Sequence, residues 1–192
     1  MRALFLASDN FEDMEYYATR DVLRRAGIET VTAEARIQPA ERIILGREKA
    51  EIVERIPLAQ AQLDTFDLLV IPGGGHWVEL AKNPEVARVI QWFAARPEKY
   101  IAAICAAPTI LGAMGLLKGH RYTCFPSMNR DFGGTFIQRY AVVDGHLITG
   151  DGPAACVTFG LAIVRATLGA EAARKVANEM YFERFDEEVL GA

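Results

Sequence analysis

Short apolar runs alternate along the chain with longer stretches in which apolar residues recur every three or four positions. A short apolar run is typical of a buried strand, and the longer spacing is typical of a helix with one buried face. The predicted strands span residues 3–7, 28–33, 66–71, 100–104 and 122–125, with a hairpin over 141–149. The predicted helices span residues 13–26, 84–95, 154–168 and 171–178, and another follows residue 108.

This alternation predicts an α/β fold, because strands separated by helices are joined by crossovers and lie parallel. Helices would cover both faces, giving a flavodoxin-like three-layer sandwich with a mostly parallel central sheet. Residues 36–55 are less regular and are predicted to form a small hairpin or edge strands. No repeat or low-complexity linker interrupts the 192 residues, so we expect one domain over residues 1–192.

One predicted strand ends in a cysteine. In the segment KYIAAICAAPTIL, residues 99–111, Cys105 follows the strand and precedes Pro108 and a helical pattern. A strand, a nucleophile and a helix in this order predict a nucleophile elbow, which presents a side chain at the carboxyl edge of a parallel sheet. The N–H groups that begin the helix favour a thiolate. Cys105 is therefore the candidate nucleophile.

Composition and charge exclude several classes of protein. The net charge of −4 and the absence of a Lys/Arg-rich run argue against nucleic-acid binding. No apolar run is long enough to span a membrane, and the first apolar run reaches Asp9 too early for a signal peptide. The three cysteines are widely spaced, which indicates free thiols in a reducing compartment. We expect a cytoplasmic protein.

Three glycines, residues 73–75, follow a predicted strand. They lack the Lys-Ser/Thr of a P-loop and the full G-x-G-x-x-G pattern, which argues against nucleotide binding. Gly73 and Gly74 instead let backbone N–H groups approach a substrate oxygen closely. His76 either lines this pocket or is an exposed loop residue. The three histidines share no metal-ligand spacing, so we expect neither a metal nor a cofactor.

Five local patterns occur together in the order and spacing of one known family. They are FEDME at residues 11–15, LRRAGI at 23–28, VIPGG at 70–74, AAICAAP at 102–108 and GP at 152–153. The chain thus resembles the ThiJ/PfpI superfamily, in the branch of the Parkinson-disease-associated protein deglycase and its bacterial relatives. The resemblance covers residues 2–178.

The resemblance assigns roles to individual residues. It implies that Cys105 is the nucleophilic, oxidation-sensitive cysteine, that Glu15 hydrogen-bonds it, and that Gly74 and Ala106 supply two N–H donors. It also implies a homodimer and a cofactor-independent glyoxalase or deglycase acting on methylglyoxal or its adducts. The family is further associated with protection against oxidative stress and with chaperone activity.

Other positions differ from the family pattern or carry weaker implications. Phe125 stands where many relatives have a histidine, so a Cys-His-acid triad is not expected, and Asp21, which matches that triad's acid, is not expected to be catalytic. Arg47 resembles an anion-contacting arginine near the pocket or the dimer interface. Arg25 is a weaker interface candidate.

The remaining cysteines and the apolar end of the chain leave alternatives open. Cys124 is either a resolving thiol for oxidised Cys105 or a buried bystander, and Cys156 is expected in the core. The apolar residues at the end are expected to pack on their own domain or on a subunit partner; they are Met180, Tyr181, Phe182 and Phe185.

Two other functions remain as alternatives to the enzyme. In the first, oxidation of Cys105 makes the protein a redox sensor or chaperone. The second is a PfpI-type peptidase, which is disfavoured because Ala106 stands where that branch has a histidine. A glutamine amidotransferase is likewise disfavoured, because no His-x-Glu pair follows the cysteine.

Overall fold

The computed structural model describes residues 1–183, in which strands and helices alternate. The strands are β1 (Arg2–Ala7), β2 (Glu29–Glu34), β3 (Ile44–Leu45), β4 (Glu51–Ile52), β5 (Ile56–Pro57), β6 (Leu68–Ile71), β7 (Tyr100–Ile104), β8 (Arg121–Tyr122), β9 (Thr135–Phe136), β10 (Ala141–Asp144) and β11 (Leu147–Gly150). The helices are α1 (Asp13–Arg25), α2 (Trp77–Leu80), α3 (Pro84–Ala94), α4 (Pro108–Ala113), α5 (Cys156–Leu168) and α6 (Ala170–Glu179).

Seven of these strands form the central sheet, in the order β10-β11-β7-β6-β1-β2-β5. Neighbouring strands are parallel except for β10 and β11, which form an antiparallel hairpin. The predicted α/β fold with a mostly parallel central sheet is confirmed. Because the parallel strands point the same way, the segments that follow β1, β6, β7 and β11 meet at one edge of the sheet.

Alternate side chains of β1 pack into two hydrophobic cores, one on each face of the sheet. Phe5 belongs to the core that contains residues of α1, α5 and α6. Leu4 and Leu6 belong to the core that contains residues of α3 and α4. Full burial of one such side chain contributes about 1.5–3 kcal/mol. The two cores define the predicted three-layer arrangement.

Helix α1 is fixed at both ends by local chemistry. The Glu12 side chain accepts a hydrogen bond from the Glu15 N–H at 2.8 Å, which caps the first turn. Gly27, with φ of 78°, allows the chain to leave the helix in a conformation that other residues rarely adopt. The N-terminal cap brings the first turn of α1, including Glu15, to the carboxyl edge of β1.

The irregular segment contains the predicted hairpin, and an edge strand follows directly after it. Strands β3 and β4 form an antiparallel hairpin outside the central sheet, and β5 extends the sheet beside β2. Arg36, only 6% exposed, fixes the loop between β2 and β3. Its guanidinium donates hydrogen bonds to Asp9, Glu34 and the carbonyl groups of Ala40, Arg42 and Ile43.

The strand predicted over residues 122–125 is wrong beyond its first residue. Strand β8 ends at Tyr122 and pairs with β9 outside the central sheet. The next backbone N–H groups have other partners: that of Thr123 donates to Thr149 Oγ1 at 2.9 Å, and that of Phe125 donates to the Cys105 carbonyl at 2.8 Å. Strand pairing therefore stops, and the chain crosses over the elbow.

The chain after α6 returns to the body of the protein. Met180 and Phe182 pack against the core beneath α5 and α6, whereas Tyr181 is exposed. Phe185, predicted to belong to the same apolar segment, lies outside the described residues. None of the helices within residues 1–183 has both the length and the apolar character needed to cross a bilayer.

Candidate active site

Cys105 lies immediately after β7, in a sharp turn that leads towards α4. Its φ of 64° is left-handed, which is rare for a residue with a side chain and marks a strained turn. Its backbone is fixed from two sides, because its N–H donates to the Gly150 carbonyl at 2.9 Å and its carbonyl accepts from Phe125. The predicted nucleophile elbow is confirmed.

Two backbone donors are directed at the Cys105 thiol. They are the N–H groups of Ala106, in the turn, and Gly74, in the segment after β6. Gly74 has a φ of 95°, and a Cβ there would collide with the backbone of Asn10, Phe11 and Glu12. Glycine is therefore required for this donor to approach the sulfur. The structure thus brings both predicted donors to Cys105.

Glu15 reaches the same point from the first turn of α1. It is fully buried, accepts a hydrogen bond from the Gly73 N–H on Oε2 at 2.6 Å, and its carboxyl group lies beside Cys105. Burial raises the pKa of Glu15 to about 7, although the contacts with Cys105 and Gly73 lower it. The nearby negative charges of Glu12 and Asp151 raise it further.

The charge state of Cys105 differs from the sequence-based expectation. Burial raises the pKa of its thiol, the negative charge of Glu15 raises it further, and the N–H groups of Ala106 and Gly74 oppose these effects. The expectation that the elbow and the helix N-terminus lower this pKa is therefore wrong, because the N–H groups only partly offset burial and the charge of Glu15. Because the two acids are neighbours, the ionisation of one opposes that of the other, and the carboxyl group of Glu15 loses its proton before the Cys105 thiol.

His76 is neither an exposed loop residue nor a pocket residue with a free ring nitrogen. It is 1% exposed, and both ring nitrogens already have backbone partners. Nδ1 accepts from the Ser8 N–H at 3.2 Å, and Nε2 donates to the Pro72 carbonyl at 2.8 Å. Burial lowers the pKa of His76 to about 4, so the ring is neutral. This corrects its predicted role as a substrate ligand.

The two candidate arginines lie at the surface. The Arg47 side chain is exposed and pairs with Glu48 at 3.5 Å, whereas its backbone N–H donates to the Phe11 carbonyl. Arg25 pairs with Asp21 on the exposed face of α1 at 2.7 Å. Within residues 1–183, neither guanidinium forms a hydrogen bond or ion pair with Cys105 or Glu15. Both remain predicted interface or anion-contacting residues.

The other two cysteines are more deeply enclosed than Cys105. Cys124 is fully buried in the core that contains α3 and α4, and burial raises its pKa to about 11. Cys156 is buried, as predicted, and its thiol donates to the Pro153 carbonyl at 2.7 Å. Burial also raises the pKa of Cys156. Both thiols are therefore protonated at neutral pH.

Sequence reasoning missed Asp151, which lies directly after β11 and acts electrostatically on Glu15. Burial raises the pKa of Asp151. The sequence did contain an indication of this position. A polar residue that follows a strand next to the elbow strand lies at the same edge of a parallel sheet. Among residues 1–183, His, Cys, Asp and Glu form no group of three that could hold a metal ion.

Fold and site together define an α/β protein with a cysteine at a nucleophile elbow, paired with a buried glutamate. Residues 1–166 match the sequence profile of the DJ-1/PfpI family, and the chain belongs to that family. Its relatives include protein dj-1beta of Drosophila melanogaster, which is 34% identical over 183 residues, covering 91% of this chain and 94% of that protein.

Two other relatives carry enzyme names. The glutathione-independent glyoxalase DJR-1.2 of Caenorhabditis elegans is 29% identical over 171 residues, covering 88% of this chain and 89% of that protein. A deglycase of Pyrococcus abyssi is 28% identical over 152 residues, covering 78% of this chain and 89% of that protein. The crystal structure of Drosophila melanogaster DJ-1beta matches with a TM-score of 0.84 and 32% identity, covering 94% of this chain and 97% of that one.

Proposed function

We propose that this protein is a cysteine-dependent glyoxalase or deglycase acting on methylglyoxal or its adducts, with Cys105 as nucleophile and Glu15 as proton carrier. One observation carries the proposal: the elbow cysteine and a buried carboxyl group are direct neighbours beneath two N–H donors. The enzyme names of two relatives support the same reaction class.

The reaction begins when the Glu15 carboxylate takes the proton of the Cys105 thiol, which leaves a thiolate and a neutral Glu15. The sulfur attacks the aldehyde carbon of methylglyoxal, and the electron pair of the C=O bond moves onto oxygen. Glu15 gives its proton to that oxygen, which produces a hemithioacetal. The N–H groups of Gly74 and Ala106 are directed at the sulfur and therefore lie beside the oxygen while it carries negative charge.

The second stage moves a hydrogen between adjacent carbons. Glu15, now a carboxylate, removes the proton from the sulfur-bearing carbon to form an enediol, then returns a proton to the former ketone carbon. The first carbon is oxidised to a thioester, the second is reduced to an alcohol, and no external oxidant or reductant is needed. Water hydrolyses the thioester, releasing lactate and regenerating Cys105. In a deglycase cycle, the amine or thiol adduct of the same dicarbonyl enters instead.

The environment of Glu15 suits both proton transfers. A group that acts as acid in one step and as base in the next works best when its pKa lies near the working pH. Burial brings the pKa of Glu15 to about 7, close to neutrality. An exposed glutamate, with a pKa of roughly 4.3, would be almost fully ionised there and a poor proton donor.

The test is lactate production from methylglyoxal by the wild type and by Cys105→Ala, with D- and L-lactate measured separately and chelator present to exclude contaminating metalloenzymes. We expect lactate from the wild type and none from the variant. Cys124→Ala is the matched control, because that thiol is buried in another core, and it should retain activity. An inactive wild type, or full activity in Cys105→Ala, contradicts the proposal.

A redox-sensing or chaperone role is the second candidate. The observation that favours it is that the proton and N–H donors around Cys105 could also stabilise the oxygens of a sulfinate. Mass spectrometry after mild peroxide treatment should then find sulfinate at Cys105 before Cys124 or Cys156. This result, combined with negligible methylglyoxal consumption, would favour the sensor over the enzyme.

We also propose a cytoplasmic homodimer that protects against carbonyl or oxidative stress. An exposed surface of α1 and the β3–β4 hairpin supports the dimer: Met14 and Val53 are exposed, and Tyr17 donates to the Glu51 carbonyl between the two elements. Sedimentation velocity should give the dimer mass for the wild type and a monomer for Met14→Lys. A monomeric wild type contradicts the proposed dimer.

A further inference from the structure

We infer that His76 is a positioning residue for the Cys105–Glu15 pair, acting through the Pro72–Gly73 peptide. The inference rests on the proposed role of Glu15 as proton carrier, and it concerns how the chain holds that carboxyl group. His76 itself lies behind the glycine run, fully enclosed, with both ring nitrogens bonded to the backbone.

The hydrogen-bond partners determine which ring nitrogen of His76 carries the proton. The Ser8 backbone N–H can only donate, so Nδ1 must accept. The Pro72 carbonyl can only accept, so Nε2 must carry the hydrogen. The Ser8 side chain is fixed in turn, because its hydroxyl donates to Glu79 Oε2 at 2.6 Å. The imidazole is therefore held in one orientation and one tautomer.

The Pro72–Gly73 peptide links this imidazole to the site. Its carbonyl accepts from His76, and its N–H donates to Glu15 Oε2 at 2.6 Å. Since a peptide unit is planar and rigid, the two hydrogen bonds together fix the orientation of the whole unit. A donor on the carbonyl also polarises the peptide, which strengthens its N–H donor. The orientation and strength of the Glu15 contact thus depend on His76.

The same segment also positions the backbone N–H group that is directed at the Cys105 sulfur. Gly74, the next residue, directs its N–H at Cys105, and the Gly73 carbonyl accepts from the Glu12 N–H at 2.9 Å. A rotation of the Pro72–Gly73 peptide would therefore disturb the donors of both members of the pair. Without the His76 hydrogen bond, we expect the carboxylate form of Glu15 to be less well stabilised.

Several charged or titratable groups also act on the pair, and the test must leave them unchanged. Glu12 acts on Glu15 from the N-cap position before α1, and Asp151 acts on it from the segment after β11. The Cys156 thiol lies within the field of Glu15 from α5, and Glu79 faces His76 from α2. The test therefore changes His76 alone.

The experiment compares His76→Leu, His76→Asn and His76→Gln. Glutamine places an amide N–H near the position of Nε2 and keeps a donor for Pro72, whereas asparagine keeps only an acceptor for Ser8, and leucine keeps neither. The readout is the pH titration of Glu15, followed through the carboxyl signal of ¹³C-labelled glutamate and assigned by its loss in Glu15→Gln. Its midpoint should rise by about 0.5–1 pH unit in the Leu and Asn variants and stay near wild type in Gln.

A purely structural His76 would lower stability without moving this midpoint. An unchanged midpoint in folded His76→Asn, or equal shifts in Asn and Gln, overturns the inference; if His76→Leu does not fold, the Asn–Gln comparison decides. Alkylation of Cys105 by iodoacetamide against pH gives a second readout, expected to shift in the same variants. Neither readout requires turnover, so a wild type inactive on methylglyoxal would refute the proposed function and leave this inference standing.

Discussion

Gly73 donates its backbone N–H to Glu15 Oε2 at 2.6 Å, and this contact leaves no room for a side chain. A Cβ at Gly73 would lie 2.6 Å from both Glu15 Oε2 and Cys105 Cβ. The close approach of α1, the glycine run and the elbow therefore requires a residue without a Cβ at position 73. Close backbone packing at Gly73 therefore holds the two members of the proposed catalytic pair next to each other.

Gly73→Ala is expected to separate Cys105 from Glu15. The added methyl also meets the Ile104 carbonyl, which is backbone and cannot rotate away. We expect a loss of about 1–3 kcal/mol of stability in denaturant titration, together with a large loss of lactate production. Gly75→Ala is the matched control, because a Cβ there meets only Asn10 at 3.3 Å. Equal effects at the two positions would contradict this interpretation.

Glu15→Gln should separate the reactivity of the thiol from turnover. The substitution removes the negative charge that raises the pKa of Cys105, so alkylation by iodoacetamide at pH 7 should be at least as fast as in wild type. It also removes the proton carrier, so lactate production should fall about a hundredfold or more. Retention of full turnover by a folded Glu15→Gln would exclude Glu15 as the proton carrier.

The free energy of unfolding should depend on pH in a way that reports the raised pKa of Glu15. Its pKa is about 7 in the folded state and roughly 4.3 in an unfolded chain, so the folded state binds the proton more tightly. Its contribution is therefore complete below about pH 4 and is lost as pH rises towards 7. Glu15→Gln should thus gain stability relative to wild type between pH 4.5 and 8, by at most about 4 kcal/mol. Parallel pH profiles for the two proteins would contradict the raised pKa.

Arg36→Met should destabilise the fold through a buried charge cluster. Its guanidinium pairs with Glu34 at 2.9 Å and with Asp9 at 3.0 Å, and the Glu34 carboxylate is almost as enclosed. Removing the cation leaves these carboxylates with fewer partners, which costs about 3–5 kcal/mol in buried pairs. Arg25→Met, at an exposed pair on α1, is the control and should change the unfolding midpoint little. Similar losses of stability in both variants would contradict a larger contribution from the buried charge cluster around Arg36.

The sequence predicted the central features of fold and site because local patterns encode them. The apolar strands, the glycine after β6 and the cysteine after β7 each follow from residue type and order. The proximity of Glu15 to Cys105 came from the family resemblance, and parallel topology explains it, since α1 and the elbow begin at the same sheet edge. The positions of Gly74 and Ala106 follow from the same geometry.

Other features depend on contacts between distant segments, which residue order does not reveal. The environment of His76 depends on Ser8, 68 positions away, so neither its burial nor its tautomer could be derived. Strand β8 ends early because the N–H of Phe125 is taken by the elbow. The raised pKa of Cys105 results from burial and from the charge of Glu15, whereas sequence reasoning considered only the helix N-terminus.

The crossing of Phe125 over the elbow has a consequence for protein engineering. Residue 125 secures the Cys105 carbonyl with its main chain, while its aromatic ring is 41% exposed and takes no part in that bond. Its side chain can therefore be exchanged without releasing the nucleophile. Libraries built at this single codon would therefore vary the size and polarity of the surface beside the elbow on an unchanged scaffold.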